Sequence, residues 1–375
     1  MPERFELRIA FRKLLIGTLL TIIPMSLASL YFITQANDSL EDTIGAHFQT
    51  MARITSAEVA GYIEERVLGV AILASEPALV SAVQSANKTY ATMNDDAVAA
   101  RMKRMDDLWN TGQASAEVAA ILSSPASRVL LRAHQLDPRI LRITVTDAKG
   151  GTVAATHKSM DFYQADEDYW KNIYSDGRGA TSVTDVLYDD ATHAHYIGIG
   201  VPIVEPESNR LIGTLDALVN VNSLAPIVNR AQLGGSGRVL LVRGDGTIIA
   251  GGAAGPGVNR KSEEYAALLD AHAGGEKPSG HHIVELSGPV RTLIAYADTG
   301  LKASYPALAW TILLAQDTRE AFAPIRPVSR MIWLFSLLGL TLVALLAAYF
   351  SLHRRMPITD IRHTEVEANA QAHSK

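Results

Sequence analysis

The chain has 375 residues, a formal net charge of −5 and no cysteine. The absence of cysteine excludes disulfide bonds, thiolate catalysis and cysteine-based zinc sites. A weakly acidic chain without a long basic segment also lacks the clustered Lys and Arg that bind phosphate backbones, which argues against a nucleic-acid partner.

Two apolar segments, 14–37 and 331–352, enclose a mostly polar centre. Each reaches the roughly 20 residues that a helix needs to cross a bilayer, so we predict transmembrane helices at residues 14–35 and 331–352. Residues 1–13 hold four basic side chains, and such residues next to a span stay in the cytoplasm. The centre is therefore predicted to lie outside the inner (plasma) membrane, with both termini cytoplasmic. A cleaved signal peptide is the alternative for the first segment, although its apolar stretch exceeds the roughly 7–15 residues typical of that signal.

Residues 36–136 are predicted to form a helical stalk. Apolar side chains recur after the first span at intervals of three and four residues or their multiples: Leu40, Ile44, Phe48, Met51, Val59, Tyr62, Val70 and Leu73. This spacing is typical of one face of a long helix, a face that suits either a dimer interface or packing within the chain. A second helix is predicted over residues 95–122, and Pro125 and Pro138 are expected to end the helical pattern.

Beyond Pro138 the apolar pattern has a period of two, which is typical of β-strands. Gly150 and Gly151 mark a hairpin turn, and hairpins favour an antiparallel sheet. We predict short helices over 166–174 and 223–229, and strands over 140–146, 152–156, 181–187, 195–204 and 210–219.

A similar order of elements follows a second time. The predicted strands span 237–242, 247–250, 282–286, 291–297 and 310–315, with a helix over 262–271. Short sequences also correspond between the two copies: Gly151-Thr152-Val153 with Gly246-Thr247-Ile248, and Ala225-Pro226-Ile227 with Ala323-Pro324-Ile325. We therefore predict tandem domains at residues 137–232 and 233–326, joined by a flexible link at residues 234–237.

This architecture resembles the double Cache (dCache) sensor domains of bacterial chemoreceptors and sensor histidine kinases. The likeness is clearest over residues 163–224, and Ala307 to Ile312 looks like the closing strand of the second copy. The resemblance implies an α+β fold in which two transmembrane helices bracket a long helix and two tandem PAS-like antiparallel-sheet domains. It also implies a membrane-distal domain at 137–232, a membrane-proximal domain at 233–326, a homodimer, and a sensing function without catalysis.

Family members that bind amino acids carry the motif Tyr-x4-Arg-x-Trp-Tyr and a later Asp. Tyr163, Trp170 and Asp216 match this pattern, whereas Asp168 stands at the Arg position and Lys171 at the second Tyr. An Arg can hold a carboxylate through two parallel hydrogen bonds, but Asp168 would repel one. The resemblance implies a ligand site made of Tyr163, Asp168, Trp170, Lys171, Tyr196 and Asp216.

An amine or other cationic ligand is the leading hypothesis for this site. Asp216 would hold its charge, and aromatic faces would supply cation–π contacts. Asp166, Glu167 and Asp168 would make the entrance acidic. Two alternatives remain open: Lys171 could hold a carboxylate, or the aromatic side chains could belong only to the core.

No cofactor, metal or enzymatic activity is predicted. His193 and His195, two apart on a predicted strand, could contact a metal together with Asp189 or Asp190, but a full ligand set is not evident. Neither a GxSxG nor an HExxH motif occurs in the sequence.

Residues 353–375 are predicted to be a short cytoplasmic tail. Arg354-Arg355-Met356-Pro357-Ile358 looks like the opening of a HAMP linker. Three readings follow: an input module of a longer receptor, a sensor that acts through a separate cytoplasmic kinase or other output protein, or a tethered binding protein that needs no output.

Overall fold

The computed structural model describes residues 11–110, 115–158, 161–190, 192–231, 233–252, 260–271, 279–286, 290–323 and 326–352. The chain divides into two compact units: residues 45–321, and residues 1–44 together with 322–375. The predicted tail at 353–375 and the Pro324-Ile325 part of the repeated sequence lie outside the described residues.

The described helices are α1 (Phe11–Ala74), α2 (Pro77–Lys88), α3 (Asp95–Asn110), α4 (Ala116–Leu122), α5 (Pro125–Leu136), α6 (Asp168–Tyr174), α7 (Ala225–Val228), α8 (Glu263–Ala271), α9 (Thr318–Ala321) and α10 (Arg326–Leu352). The described strands are β1 (Ile140–Asp147), β2 (Thr152–Ala155), β3 (Ser182–Val183), β4 (Leu187–Asp189), β5 (Ala194–Val204), β6 (Leu211–Asn220), β7 (Arg238–Arg243), β8 (Ile248–Gly251), β9 (Ser279–Glu285), β10 (Arg291–Asp298) and β11 (Trp310–Asp317).

In the unit formed by the two ends of the chain, large apolar side chains are exposed on both α1 and α10. Leu20 and Phe32 are 71% and 67% exposed on α1, and Leu334 and Leu338 are 65% and 66% exposed on α10. Within the described part of the chain, no single helix reaches the length and apolar character expected of a membrane span; Trp333–Leu346, within α10, is a shorter apolar helical segment.

Within the 45–321 unit, α1 buries one face. Its buried apolar residues follow the helical period closely: Phe48, Ala52, Val59, Ile63, Val67, Val70 and Ala74. Phe48, Val59 and Val70 belong to the set of recurring apolar side chains predicted from the sequence. At these positions the predicted apolar face packs within the 45–321 unit.

One prediction about Pro125 was wrong. Pro125 does not end the helical region but begins α5, with Ser124 as the N-cap whose hydroxyl accepts a hydrogen bond from the Ser127 N–H at 3.0 Å. Proline is favoured at the first position of a helix because its missing N–H has no partner there. The sequence Ser-Pro therefore marks a helix start at this point, not a helix end.

The strands form two antiparallel sheets with the same strand order. The six-stranded sheet runs β2-β1-β6-β5-β3, with β4 also paired to β5, and the five-stranded sheet runs β8-β7-β11-β10-β9. In each, an initial hairpin lies beside the last strand of its sheet, which occupies the centre. The predicted strand over 181–187 is in fact two short strands, β3 and β4, separated by Thr184, Asp185 and Val186.

Two residues of the predicted link at residues 234–237, Gly235 and Ser236, are hydrogen-bonded to α9. The Glu320 carboxylate on α9 accepts hydrogen bonds from the Gly235 N–H at 2.7 Å, the Ser236 N–H at 2.8 Å and the Ser236 hydroxyl. These bonds, led by that of the hydroxyl, lower the pKa of Glu320 to about 2. The link is thereby fixed to the segment that follows β11.

Candidate functional site

Helix α6 covers one face of the six-stranded sheet. The Trp170 indole N–H donates to the Thr146 hydroxyl on β1 at 2.9 Å. Ile173 packs over Gly200 on β5 so closely that a Cβ at Gly200 would lie 2.2 Å from Ile173 Cδ1. Thr146 and Gly200 therefore point toward α6, and side chains two residues away on each strand share that face.

Asp216 lies at the centre of this face. On β6 it pairs in register with Thr144 on β1 and with Gly200 on β5. Its side chain is buried, with the residue 8% exposed, and no hydrogen bond from the described residues reaches its carboxylate. Burial raises the pKa of Asp216 to about 7, and the nearby positive charge of Arg142 opposes the rise. A largely buried carboxylate that accepts no hydrogen bond from the described residues is unfavourable when ionised and is a candidate for ligand contact.

Arg142 lies on the same face, two residues before Thr144 on β1. Its guanidinium forms an ion pair with the Asp189 carboxylate on β4, Nη1 to Oδ1 at 3.5 Å. Asp189 in turn accepts hydrogen bonds from the N–H and the hydroxyl of Thr192, at 3.0 and 2.7 Å. The guanidinium is thus paired to an acid other than Asp216.

Two tyrosines lie within electrostatic reach of Asp216. Burial first, and then the charge of Asp216, raise the pKa of Tyr169 on α6 and of Tyr196 on β5. The Tyr169 hydroxyl donates to the Gln164 side-chain oxygen. These phenols provide aromatic surface next to the carboxylate, the combination that favours a bound cation.

The surroundings of the site are acidic. Burial and then the charges of Glu167, Asp106 and Asp166 raise the pKa of Asp161. Glu167 also contributes to the raised pKa values of Tyr169 and Tyr196. Arg142 is the positive charge that acts on these tyrosines, and it is already paired with Asp189.

The six residues named from the sequence do not form one cluster. Tyr196 and Asp216 come together on the covered face. Trp170 is buried, stacks on Tyr174 with ring centroids 4.4 Å apart, and uses its N–H on Thr146, so it packs α6 onto the sheet. Tyr163 is half-buried against the apolar cluster of α3 and α4 that includes Trp109.

Asp168 and Lys171 lie on the solvent side of α6. The Asp168 side chain is 98% exposed, and Lys171 lies 3.5 Å from it at the (i, i+3) position. Because α6 begins at Asp168, its helical period directs Trp170 and Ile173 to the sheet and this pair away from it.

Arg142 and Tyr169 were missed by the sequence reasoning. A signal for Arg142 exists: β1 alternates Arg142, Thr144 and Thr146 with the apolar Ile143 and Val145. A polar face on a strand whose two sides are both covered indicates a site. Tyr169 carries no comparable signal, since its neighbour Trp170 is the more apolar choice for the buried side.

The histidine pair does not share a strand face as expected. His193 precedes β5 and has a φ of 51°, whereas His195 lies within the strand and pairs with Tyr188 across it. Over the residues whose placement the structure describes, no group of three or more His, Asp or Glu side chains could hold a metal ion.

Comparison with known proteins gives the family. The family model dCache_1, described as a Cache domain, matches residues 36–325. No curated protein matches the chain at a significant level.

Three solved structures to which the chain shows some similarity are chemoreceptor ligand-binding domains. The Pseudomonas aeruginosa PAO1 amino acid chemoreceptor PctB in complex with L-Arg is 18% identical with a TM-score of 0.48, over 76% of this chain and 93% of that one. PctC of the same organism, in complex with GABA, is 16% identical with a TM-score of 0.46, over 73% and 99%. Pseudomonas fluorescens CtaA in complex with L-isoleucine is 15% identical with a TM-score of 0.47, over 77% and 98%. With the family model matching well over half of its length, the chain belongs to the Cache domain family of sensor proteins.

Proposed function

We infer that the chain is a bacterial transmembrane receptor that binds a small external molecule carrying an ammonium group. The observation that carries this proposal is Asp216, a buried carboxylate with a pKa raised to about 7 that no described hydrogen bond reaches. An ammonium ion would supply hydrogen-bond donors, and its positive charge would add to that of Arg142 in offsetting the unfavourable burial of the carboxylate.

The groups around Asp216 support a cationic ligand. Tyr169 and Tyr196 offer aromatic surface, and Asp189 and Glu167 add negative charge. A ligand with only a carboxylate would approach Asp216 against this charge. Lys171, the group that could hold a carboxylate in the alternative reading, is 54% exposed on the far side of α6.

Arg142 favours a second candidate within the same class, an amino acid. Its planar guanidinium could form two parallel hydrogen bonds to a carboxylate, provided that it exchanges the 3.5 Å contact with Asp189 for the ligand. An amino acid would then hold its ammonium at Asp216 and its carboxylate at Arg142. A simple amine would use Asp216 alone.

The proposed membrane topology rests on the sequence and on the exposed apolar side chains of α1 and α10. The apolar segments 14–35 and 331–352 would cross the inner (plasma) membrane and place the Cache domain outside the cytoplasm. Exposed side chains such as Phe32 and Leu338 are costly in water and are expected to contact lipid.

The homodimer and the output partner are proposals as well. Ile54, Leu68 and Ile72 are 57%, 61% and 62% exposed along α1 of the 45–321 unit. We expect these three exposed side chains to pack against α1 of a second copy. Because the chain has no cysteine, an Ile54→Cys variant can be cross-linked in membranes; a cross-linked dimer is expected, and only monomers would remove the dimer. The output is proposed to be a cytoplasmic kinase or other output protein, either separate or part of a longer receptor.

A matched set of ligands tests the proposed ligand class. The full chain in lipid nanodiscs would be heated in the presence of butylamine, 4-aminobutyrate or butyrate, which differ only in their charged ends. A ligand that binds the folded state raises the melting temperature in proportion to RT ln(1 + [L]/Kd). Stabilisation by butylamine or 4-aminobutyrate, but not by butyrate, is expected, and stabilisation by butyrate alone contradicts the proposal.

The variant Arg142→Met separates amine from amino acid. If the ligand is an amino acid, the substitution lowers the shift produced by 4-aminobutyrate more than that produced by butylamine. If the ligand is a simple amine, the substitution changes the two shifts equally, because it acts only through the charge of Asp216. Lys171→Met serves as the control, since this exposed residue is expected to change neither.

A further inference from the structure

The Asp185 carboxylate joins the neighbourhood of the candidate site to the five-stranded sheet. Asp185 lies between β3 and β4 at the edge of the six-stranded sheet. Its Oδ2 lies 2.7 Å from Arg243 Nε, and its Oδ1 accepts a hydrogen bond from the Trp310 indole N–H at 3.0 Å. Arg243 ends β7, Trp310 begins β11, and the two residues are directly opposite each other in register.

The residue before Asp185 is fixed to the candidate site. The Thr184 hydroxyl accepts the Gly198 N–H at 2.7 Å, and the Thr184 N–H donates to the Gly198 carbonyl at 2.9 Å. A Cβ at Gly198 would lie 3.6 Å from Asp216 Oδ1, so Thr184 is anchored at the backbone next to the unpartnered carboxylate. Movement of this backbone toward or away from a ligand at Asp216 must therefore carry Thr184.

The link across to the second sheet is well suited to pass such a movement on. The Asp185 and Arg243 side chains are only 22% and 34% exposed, and Trp310 is fully buried. A charge-assisted hydrogen bond is stronger than a neutral one, and leaving one buried partner unpaired is unfavourable. When the β3–β4 segment moves, β7 and β11 must therefore move with it, or the contacts of Asp185 with Arg243 and Trp310 must break.

We propose that Asp185 is the coupling residue of the receptor, which transmits displacement of the Thr184 backbone at the candidate site to β7 and β11 of the five-stranded sheet. β11 is followed in the chain by α9, whose Glu320 holds the link at Gly235 and Ser236. A shift of β11 is thereby passed to the segment that leaves the 45–321 unit. The proposal concerns how binding is reported and does not depend on which ligand binds.

Hydrogen–deuterium exchange on the full chain in nanodiscs tests the link without any ligand. Arg243→Met removes the ion pair from the five-stranded sheet and should raise exchange in residues 182–189 and at the Gly198 amide by about tenfold. The matched control is Arg238→Met, on the same strand, whose ion pair with Glu264 at 2.8 Å stays within the five-stranded sheet and its helix α8. The control should leave residues 182–189 unchanged.

A second readout starts from the other side of the link. Thr184→Val removes the hydroxyl that accepts the Gly198 N–H while keeping the size of the side chain. The chain has four tryptophans, which can be labelled with 5-fluorotryptophan. In labelled Thr184→Val, the ¹⁹F signal of Trp310 should shift from its wild-type position, and that of Trp109 should not. This measurement decides the matter if Arg243→Met raises exchange throughout the protein.

The proposal is overturned if Arg243→Met leaves residues 182–189 as in the wild type, or if Arg238→Met raises their exchange equally. An unchanged Trp310 signal in Thr184→Val also contradicts it. Because no ligand is present, these results stand whether or not an amine binds at Asp216.

Discussion

The two sheets share one topology and differ in what they place under the covering helix. In the six-stranded sheet, Thr144, Asp216 and Gly200 occupy adjacent strands in register. The same three positions in the five-stranded sheet, counted from the paired end of each hairpin, are Leu240, Leu313 and Tyr296. The second set forms an apolar cluster with Leu268 of α8, whereas the first leaves a carboxylate without a described hydrogen bond under α6.

The two sheets also differ in whether their buried carboxylates are paired. Buried Glu264 of α8 is paired with Arg238 at 2.8 Å and accepts a hydrogen bond from the Ser262 hydroxyl at 2.7 Å. Asp216 has neither kind of contact among the described residues. The same fold thus serves as a packed core in one copy and as a candidate binding surface in the other, and the difference lies in a few inward-facing side chains.

The largest change in stability is expected when a carboxylate is placed in the five-stranded sheet at the position equivalent to Asp216 of the six-stranded sheet. Leu313→Asp would place an unpaired charge among apolar side chains, and we expect a loss of several kcal/mol in the free energy of unfolding. Leu269→Asp, at a position on α8 that is 52% exposed, is the control and should change stability little. The measurement is thermal unfolding; equal melting temperatures for the two variants would contradict the equivalence of Leu313 and Asp216.

Removing the charge of Asp216 should stabilise the ligand-free protein above pH 7. The pKa of Asp216 is raised from an ordinary 3.8 to about 7, so the folded state binds a proton that the unfolded state releases. Stability therefore falls as pH rises from about 4 to about 7, and the full penalty is present above that range.

Asp216→Asn should relieve a penalty of the order of a few kcal/mol at pH 8 and almost none near pH 4, at about 1.4 kcal/mol per pKa unit. The groups that face Asp216 are Arg142, Tyr169 and Tyr196, with Asp189 and Glu167 beyond them. Chemical denaturation at a series of pH values measures the difference. Asp168→Asn, at a fully solvated side chain, is the control, and a pH-independent effect of Asp216→Asn would argue against a buried charge.

A smaller effect is expected where α6 meets the sheet. Gly200→Ala places a Cβ 2.2 Å from Ile173 Cδ1, and the forced shift of α6 should lower the free energy of unfolding by about 1–3 kcal/mol. Gly61→Ala on α1 meets nothing within 4 Å and should stabilise the helix slightly, because alanine is the better helix former. Both are read from denaturant midpoints, and no loss in Gly200→Ala would mean that α6 does not depend on this close approach.

The smallest expected effect concerns the link at Gly234. Because hydrogen bonds lower the pKa of Glu320 to about 2 from 4.5, its stabilising contribution is complete above about pH 4.5 and is lost as pH falls toward 2. Glu320→Gln should therefore speed amide exchange of Gly235 and Ser236 at pH 7 and lose this effect in acid. Glu263→Gln, on exposed α8 sequence, provides the comparison, and identical exchange in the two variants would leave Glu320 without a role in the link.

The positions of the helices and strands were easier to predict from the sequence than the side of each element on which a given side chain lies. The hairpin at Gly150 and the succession of strands along the chain were readable because glycine turns and alternating apolar residues are local signals. Asp216 was readable through the family motif. The exposure of Asp168 and Lys171 was not, because it depends on the residue at which α6 begins. The polar face that carries Arg142 could be read from the alternation along β1, but the pairing of Arg142 with Asp189 depends on strand register, which local pattern does not set.

In the proposed receptor, Asp216 holds the ammonium group of the ligand. The most direct test is calorimetric titration of the full chain in nanodiscs at pH 8 with butylamine and 4-aminobutyrate, using wild type, Asp216→Asn and Asp168→Asn. We predict that the wild type and Asp168→Asn bind at least one of the two with the same affinity, and that Asp216→Asn loses about 100-fold, as expected when one partner of a buried charge pair is removed. Binding by Asp216→Asn with wild-type affinity would mean that Asp216 does not hold the ammonium group.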